Sequence, residues 1–433
     1  MGAPHLTSDA PSVIIAGGGL AGLAAAAALG SAGFDVRLFE ARAFLGGRAT
    51  SFPLTPGEEE LIDNCQHILL RCCVNLLDLY QRLGVADRVR FYREFYFLEP
   101  GGRISVMRRN PFSFAAMRCL SWADKWAVAR GLLAIRREWN TRGDLDRITM
   151  LDWLREKRQT PGAIENFWGQ VLVSAVNEEV DRMAARHGFQ VFWLGFLATS
   201  TGYEMGVPAV TLRELYDVEA LRRAGNIHLH TRRPVERLSP DAVEVAGAWH
   251  TASYYISALP FERLASVAPW LGIQTDLLEH SPITSIHIWY DRPVTNLPHA
   301  TLLGRTLQWM FNKSEGSYLQ FVVSASRSLT SLPRQDVIAL ASKEAAEFFP
   351  AARTATILRA QVIKEVRATF SAKPGAEQLR PGARTSSSNV FLAGDWTQSG
   401  WPATMEGAVR SGYLAAEAVC AAAGCPQTFL IDN

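Results

Sequence analysis

Val13-Ile14-Ile15-Ala16-Gly17-Gly18-Gly19-Leu20-Ala21-Gly22 is the stretch on which the fold turns. Four apolar residues without a polar interruption read as a short strand buried on both faces, as in a parallel sheet covered by helices. The glycines behind it fit G-x-G-x-x-G. Gly17 makes the tight turn, Gly19 lets backbone approach a pyrophosphate, and Gly22 lets helix pack on strand. A helix begins at Leu20 and Ala21, so its free N–H groups and positive dipole face the phosphates. Asp35–Phe39 reads as a second strand parallel to the first, which makes a right-handed βαβ unit. Glu40 ends that strand, eighteen residues past Gly22, where an acid accepts both hydroxyls of a ribose. The result is a dinucleotide unit of Rossmann type, and it does not by itself separate a nicotinamide from a flavin nucleotide.

Working outward, Asn226–His230, Ala242–Val245, Ser253–Leu259 and Asn389–Ala393 read as further strands, and Ser121–Trp139 and Met150–Val180 as helical stretches rich in tryptophan and arginine. Lys373–Ser388 and Thr50–Gly57 carry the Pro, Gly and Ser of connections. Leu20–Gly33 and Tyr413–Gly424 are alanine-rich and shorter than the ~20 apolar residues a membrane span needs, so they read as buried helices. With 433 residues, 48% of them hydrophobic, the chain is too long for one simple core. The expected class is α/β. A Rossmann-type nucleotide domain is assembled from three segments, 11–75, 206–264 and 386–424, and an inserted α+β substrate domain is made of 76–205 and 265–385.

The formal charge of +2, nearly all of its positive part arginine, argues against a nucleic-acid partner. The six cysteines form no CxxC pair and suggest reduced thiols, hence a cytoplasmic setting. Met1–Ala10 lacks the basic start and apolar run of a signal peptide and reads as a loose tail. His228 and His230 share one side of a strand, but no third ligand is near, and no metal is expected.

Ala41-Arg42-Ala43-Phe44-Leu45-Gly46-Gly47-Arg48, directly after Glu40, resembles the E-A-R…G-G-R extension of the amine oxidase and phytoene desaturase group of flavoproteins. Phe391–Thr397 followed by Trp401–Gly412 resembles the A-G-D…T-M-E-G-A-x-x-S-G end of the same group. The resemblance implies FAD as cofactor, with Arg42 and Arg48 against the diphosphate and Gly46 and Gly47 admitting backbone close to it. Asp395, after Gly394 at the end of a buried strand, would bind a ribityl hydroxyl. Thr404, Met405 and Ala408 open a helix whose N–H groups stabilise negative charge on the flavin. Val235 stands where a strand backbone meets the adenine, and Gln66 and His67 stand near the isoalloxazine, with Cys65 where the group commonly has glycine. No motif offers a cysteine or histidine tether, so the FAD is expected to be non-covalent.

Within that group the chain resembles the squalene-associated branch, the hydroxysqualene dehydroxylases. The resemblance rests on Asp63–Leu70 with Asn75–Leu79, on Gly206–Tyr216, on Trp289–Val294 with Leu297–His299, and on Asp395–Thr397 with Gly400–Ala408, across most of residues 12–420. It implies a long-chain isoprenoid substrate, hydroxysqualene, whose hydroxyl leaves as water and is replaced by hydride from reduced flavin; no motif specifies the electron donor. Such chemistry needs an acid kept neutral by burial and aromatic faces that tolerate a cation. The acid candidates are His67 and the polar interruption Asn177-Glu178-Glu179, the latter also readable as a solvated helix face; Trp193, Trp289 and Trp401 are candidate walls. A substrate this apolar leaves water at ~0.8 kcal/mol per methylene, so the enzyme is expected to sit peripherally on a membrane surface. Arg108–Trp139, with Phe112, Phe114, Met117, Trp122 and Trp126 among arginines, reads as the contact or as an ordinary core helix with an arginine rim. A carotenoid-type desaturase, an amine oxidase and a redox-inactive flavin-binding partner are the competing readings.

Overall fold

Ser12–Ala16 is the middle strand of a five-stranded, all-parallel sheet in the order Ile227–His230, Asp35–Phe39, Ser12–Ala16, Tyr254–Ser257, Val390–Leu392. The computed structural model describes residues 10–54, 60–216, 218–223 and 226–432. The tail residues 1–9 and the end of the Thr50–Gly57 connection, residues 55–57, lie outside that set. Val13 and Ile15 face one apolar cluster while Ile14 and Ala16 face another, which is why the strand carries no polar residue. Asp35–Phe39 pairs with it in register, Ser12 opposite Asp35 and Ala16 opposite Phe39.

The helix Leu20–Ser31 between those strands is buried almost throughout and packs on the helix Met405–Ala422. Small residues let the two axes come together: a Cβ at Gly412 would stand 2.2 Å from the Ala21 carbonyl oxygen. Both apolar stretches are therefore interior helices. No helix among the described residues is long and apolar enough to cross a membrane.

A second, seven-stranded sheet runs Ile357–Phe370, His280–Tyr290, Tyr318–Ser324, Trp309–Ser314, His299–Leu302, Phe95–Glu99, Arg103–Met107. It is antiparallel except where His299–Leu302 meets Phe95–Glu99. Helices cover it, among them Arg334–Phe348; Trp122–Glu138, started by a Ser121/Asp124 capping box, packs on the helix Ala185–Phe192.

Two sequence expectations need correction. Met150–Val180 is not one helical stretch: Met150–Glu156 ends before Arg158, which has φ of 52°, a new helical run starts at Thr160-Pro161, and Gln170–Val176 ends at Asn177 with φ of 57°. The first part of the Thr50–Gly57 connection is the strand Ser51–Pro53, which pairs with Leu61–Asp63.

Candidate functional site

The glycine turn works through mutual contact. Gly17 has φ of +108°, and a Cβ at Gly22 would lie 2.0 Å from the Gly17 carbonyl oxygen, so neither accepts a side chain. Gly19 is different: its φ is −75°, and a Cβ there would meet nothing closer than Gly47 Cα at 3.8 Å. Nothing within the protein requires glycine at 19. The glycine-rich stretch after the second strand docks directly on this turn, Gly46 N–H donating to the Gly18 carbonyl at 2.9 Å. Glu40 anchors the same junction, its two oxygens accepting from Gly18 N–H at 2.7 Å and Arg42 N–H at 2.8 Å.

These elements border a cavity of about 500 Å³. Its walls hold Gly17, Gly19, Leu20 and Ala21; Glu40, Ala41 and Arg42; Gly46, Gly47 and Arg48; Gln66 and His67; Val235; Gly394 and Asp395; and Thr404, Met405 and Ala408. Gly22 stands behind the lining, against Gly17. Arg48 pairs with Asp395 and donates to the Ala368 carbonyl at 2.8 Å. Burial opposes its charge, but the bond and field of Asp395 outweigh burial and raise its pKa. Thr404 caps the last helix by accepting Gly407 N–H at 3.0 Å, so that helix starts in the cavity wall.

The walls suit a dinucleotide flavin. At Gly19 the space and backbone angle leave only a ligand to exclude a side chain. Gln66 supplies a second sign, because its Nε2 is buried without a partner while its Oε1 accepts from Lys313 Nζ at 3.0 Å. A lysine can only donate, so the amide's free end is its N–H₂ donor. Lys313 also pairs with buried Asp63 at 2.9 Å. Nothing local in the sequence singles out Lys313, Trp309 or Phe311; they reach the site through the second sheet.

The proposed acids stand differently from expectation. Glu178 is fully buried but is not part of the cavity wall. Burial disfavours its charge, yet bonds with Glu179, Arg327 and Ser371 and the Arg327 charge hold its pKa down at about 2, so it is an ionised structural anion. Asn177 borders the cavity, but its amide N–H₂ donates to Ser281 O at 3.0 Å and Thr369 Oγ1 at 2.8 Å and its Oδ1 accepts from Ala325 N–H at 2.7 Å. It therefore ties strands together and has no proton to spare. His67 borders the cavity and meets Asn64 Oδ1 at 3.2 Å. Burial, helped by the Arg48 charge and opposed by Asp63, lowers its pKa to about 4, so it is a neutral imidazole at pH 7. Trp193 stacks on Trp139 at 5.5 Å and Trp289 on Tyr318 at 4.2 Å, both away from the cavity walls. His228 pairs with Asp35 and His230 stacks on Phe39.

Against the nucleotide cavity lies a smaller, mostly apolar one of about 160 Å³. The two share Ile68, Ser174, Ala175, Trp309, Thr404 and Met405. Phe95, Phe97, Met107, Phe196 and Trp401 extend the apolar wall, and Glu406 is its acid. Burial raises the pKa of Glu406, opposed by hydrogen bonds from Asn75 and Leu76.

The model of the flavin containing amine oxidoreductase family matches residues 20–420. The chain is 25% identical to a 15-cis-phytoene desaturase of Synechococcus elongatus over 94% of its own length and 96% of that protein's. It is 26% identical to a zeta-carotene desaturase of a Synechocystis species, with 97% and 99% covered. Among solved structures, an oxidoreductase from Methanosarcina mazei superposes with a TM-score of 0.70 at 17% identity, covering 93% of this chain and 98% of that one. A putrescine oxidase variant superposes with a TM-score of 0.71 at 16% identity, covering 96% and 98%.

Proposed function

We propose that this chain, which belongs to the flavin-containing amine oxidoreductase family and uses FAD, works on a long-chain isoprenoid whose reacting segment enters the apolar cavity of about 160 Å³ beside the flavin. The shared wall of the two cavities carries the reading, because it sets a mostly apolar compartment against the cofactor space. Bound FAD supplies hydride transfer, as donor when reduced and as acceptor when oxidised. The relatives named for phytoene and zeta-carotene support the isoprenoid class.

The reaction we favour is reductive dehydroxylation of hydroxysqualene. The hydroxyl takes a proton, the C–O bond breaks with its electron pair leaving on water, and the allylic carbon accepts hydride to give squalene. The helix that starts at Met405 lends its positive end to an electron-rich cofactor. The apolar walls exclude water, which would otherwise return the alcohol, and the ring faces of Trp309 and Trp401 tolerate a developing cation. The second reading is carotenoid-type desaturation, the activity for which the relatives are named, and it runs the flavin in the other direction.

Residues 11–75, 206–264 and 386–424 would form the FAD-binding domain, since they supply the parallel sheet and its helices; 76–205 and 265–385 would form the substrate domain around the second sheet. Peripheral membrane contact belongs to the same proposal. Phe112, Trp122 and Trp126 are 84%, 68% and 70% exposed, and Met107, five residues before Phe112, lines the apolar cavity. Anaerobic incubation of dithionite-reduced enzyme with hydroxysqualene, and of oxidised enzyme with phytoene, followed by mass spectrometry of the lipids, decides the direction. Squalene from the first supports dehydroxylation. Polyene from the second alone supports desaturation, and no product from either removes the isoprenoid assignment.

A further inference from the structure

Two glutamines border the apolar cavity, Gln170 at the start of Gln170–Val176 and Gln190 in Ala185–Phe192. Gln170 Nε2 donates to the Glu165 carbonyl at 3.4 Å, and Gln190 Nε2 donates to the Gly400 carbonyl at 3.0 Å. A backbone carbonyl can only accept, so these bonds fix which end of each amide is nitrogen. Both Oε1 atoms are buried and have no donor. His187, one turn before Gln190, interacts with that amide, and its own Nδ1 has no hydrogen bond. Neighbouring polar groups in the wall are engaged. Ser174 Oγ accepts Trp309 Nε1–H at 2.6 Å, Thr404 Oγ1 accepts Gly407 N–H, and the Glu406 carboxyl accepts from Asn75 and Leu76.

A buried carbonyl without a donor bears the cost of its lost hydration. Two of them in one apolar wall match a ligand that brings donors of its own. A hydrocarbon brings none; an alcohol brings one, and a water held beside it supplies the second. We propose that Gln170 and Gln190 form a hydrogen-bond-accepting subsite for a substrate hydroxyl, so that the cavity selects an isoprenoid alcohol over the hydrocarbon of the same length. The subsite rests on the isoprenoid reading of the cavity but not on which reaction follows.

The test is binding rather than turnover. Farnesol and farnesene, in one detergent and with their partition into it measured, are titrated into the FAD-loaded full-length enzyme while tryptophan fluorescence and the flavin band are followed. The expected result is farnesol binding at least about tenfold tighter than farnesene. Gln170→Met and Gln190→Met should each weaken farnesol severalfold, and the double variant should bring the two ligands level with farnesene unchanged. Equal affinities in the wild type would overturn the subsite while leaving the isoprenoid reading in place, and that comparison needs no variant to fold. Full alcohol preference in the double variant would also overturn it. Saturable binding of neither ligand would remove both readings. Alcohol preference in an enzyme that makes no squalene from hydroxysqualene would keep the subsite and remove the dehydroxylase reaction.

Discussion

Replacing Lys313 by methionine keeps the length of the side chain and deletes its charge, and the effects can be worked out from its two buried partners, Asp63 and Gln66. Asp63 is 2% exposed and accepts from Ser51 Oγ at 2.6 Å, Leu212 N–H at 3.0 Å and Lys313 at 2.9 Å. Burial pushes its pKa up, but the Lys313 charge and the hydrogen bonds outweigh burial and hold it below the usual aspartate value. Removing one member of a fully buried pair costs about 3–5 kcal/mol; with the lysine a fifth exposed and two donors left for Asp63, about 2–3 kcal/mol is expected at pH 7. The sign with pH follows from the depressed folded-state pKa. Asp63 contributes its stability above the unfolded carboxylate pKa and loses it as pH falls through the folded one. In Lys313→Met burial is no longer outweighed by the lysine charge, so the aspartate takes up its proton at higher pH than in the wild type, and the gap between the two should narrow as pH falls from 7 through the ordinary carboxylate range. Urea unfolding of both proteins across that range measures it. The variant also frees the Gln66 amide to turn, so the visible flavin band should shift with FAD still bound. A gap under about 0.5 kcal/mol, or one that does not change with pH, would refute the argument.

Gly19→Val should fold as an apoprotein with wild-type far-UV circular dichroism and retain no FAD, because its backbone angle and surroundings accept a side chain and only the cofactor does not; FAD occupancy equal to wild type would remove Gly19 from the site. Glu178→Gln should lose about 2–4 kcal/mol at pH 7 through its bond to Arg327, a loss that fades only as pH falls toward the Glu178 value of about 2. The protein that remains folded should keep its rate per flavin, and a collapse of that rate would return Glu178 to the chemistry. Changing Trp122 and Trp126 to serine should abolish flotation with anionic liposomes while leaving FAD bound; unchanged flotation would place the membrane contact elsewhere.

The nucleotide half of the molecule was legible because its physics is local. A strand buried on both faces, a turn that only glycine makes and a helix start lie within ten consecutive residues, so one short reading specifies them together. The second sheet was not legible, and His280–Tyr290 shows the reason. Ser285 and His287 lie on a buried face and are satisfied there by Gln320 and Tyr318, so the face that should read apolar reads polar. The interruption at Asn177-Glu178 could be read as a buried acid or as a solvated helix face, and the structure buries both residues. Its meaning depended on Arg327, far along the chain, which turns a candidate acid into an ion-pair partner. Lys313 and the two glutamines have the same character, in that each acquires its role from a partner or a cavity that only the folded chain brings together.

The helix Leu20–Ser31 buries its small residues against Met405–Ala422, and the fifth strand of the parallel sheet is Val390–Leu392, so the beginning of the chain is completed by its end. A ribosome working at about 5–20 residues per second needs on the order of 20–80 s to travel from Ala24 to Gly412. For all of that time an alanine- and leucine-rich helix lacks the surface that covers it, and the glycine turn lacks the residues that close the cofactor cavity. FAD therefore cannot hold the emerging chain together as a ligand would in a domain finished early. Synthesis of this protein should depend on chaperones that hold the amino-terminal segment, and chains stopped before residue 405 should aggregate whatever the flavin supply.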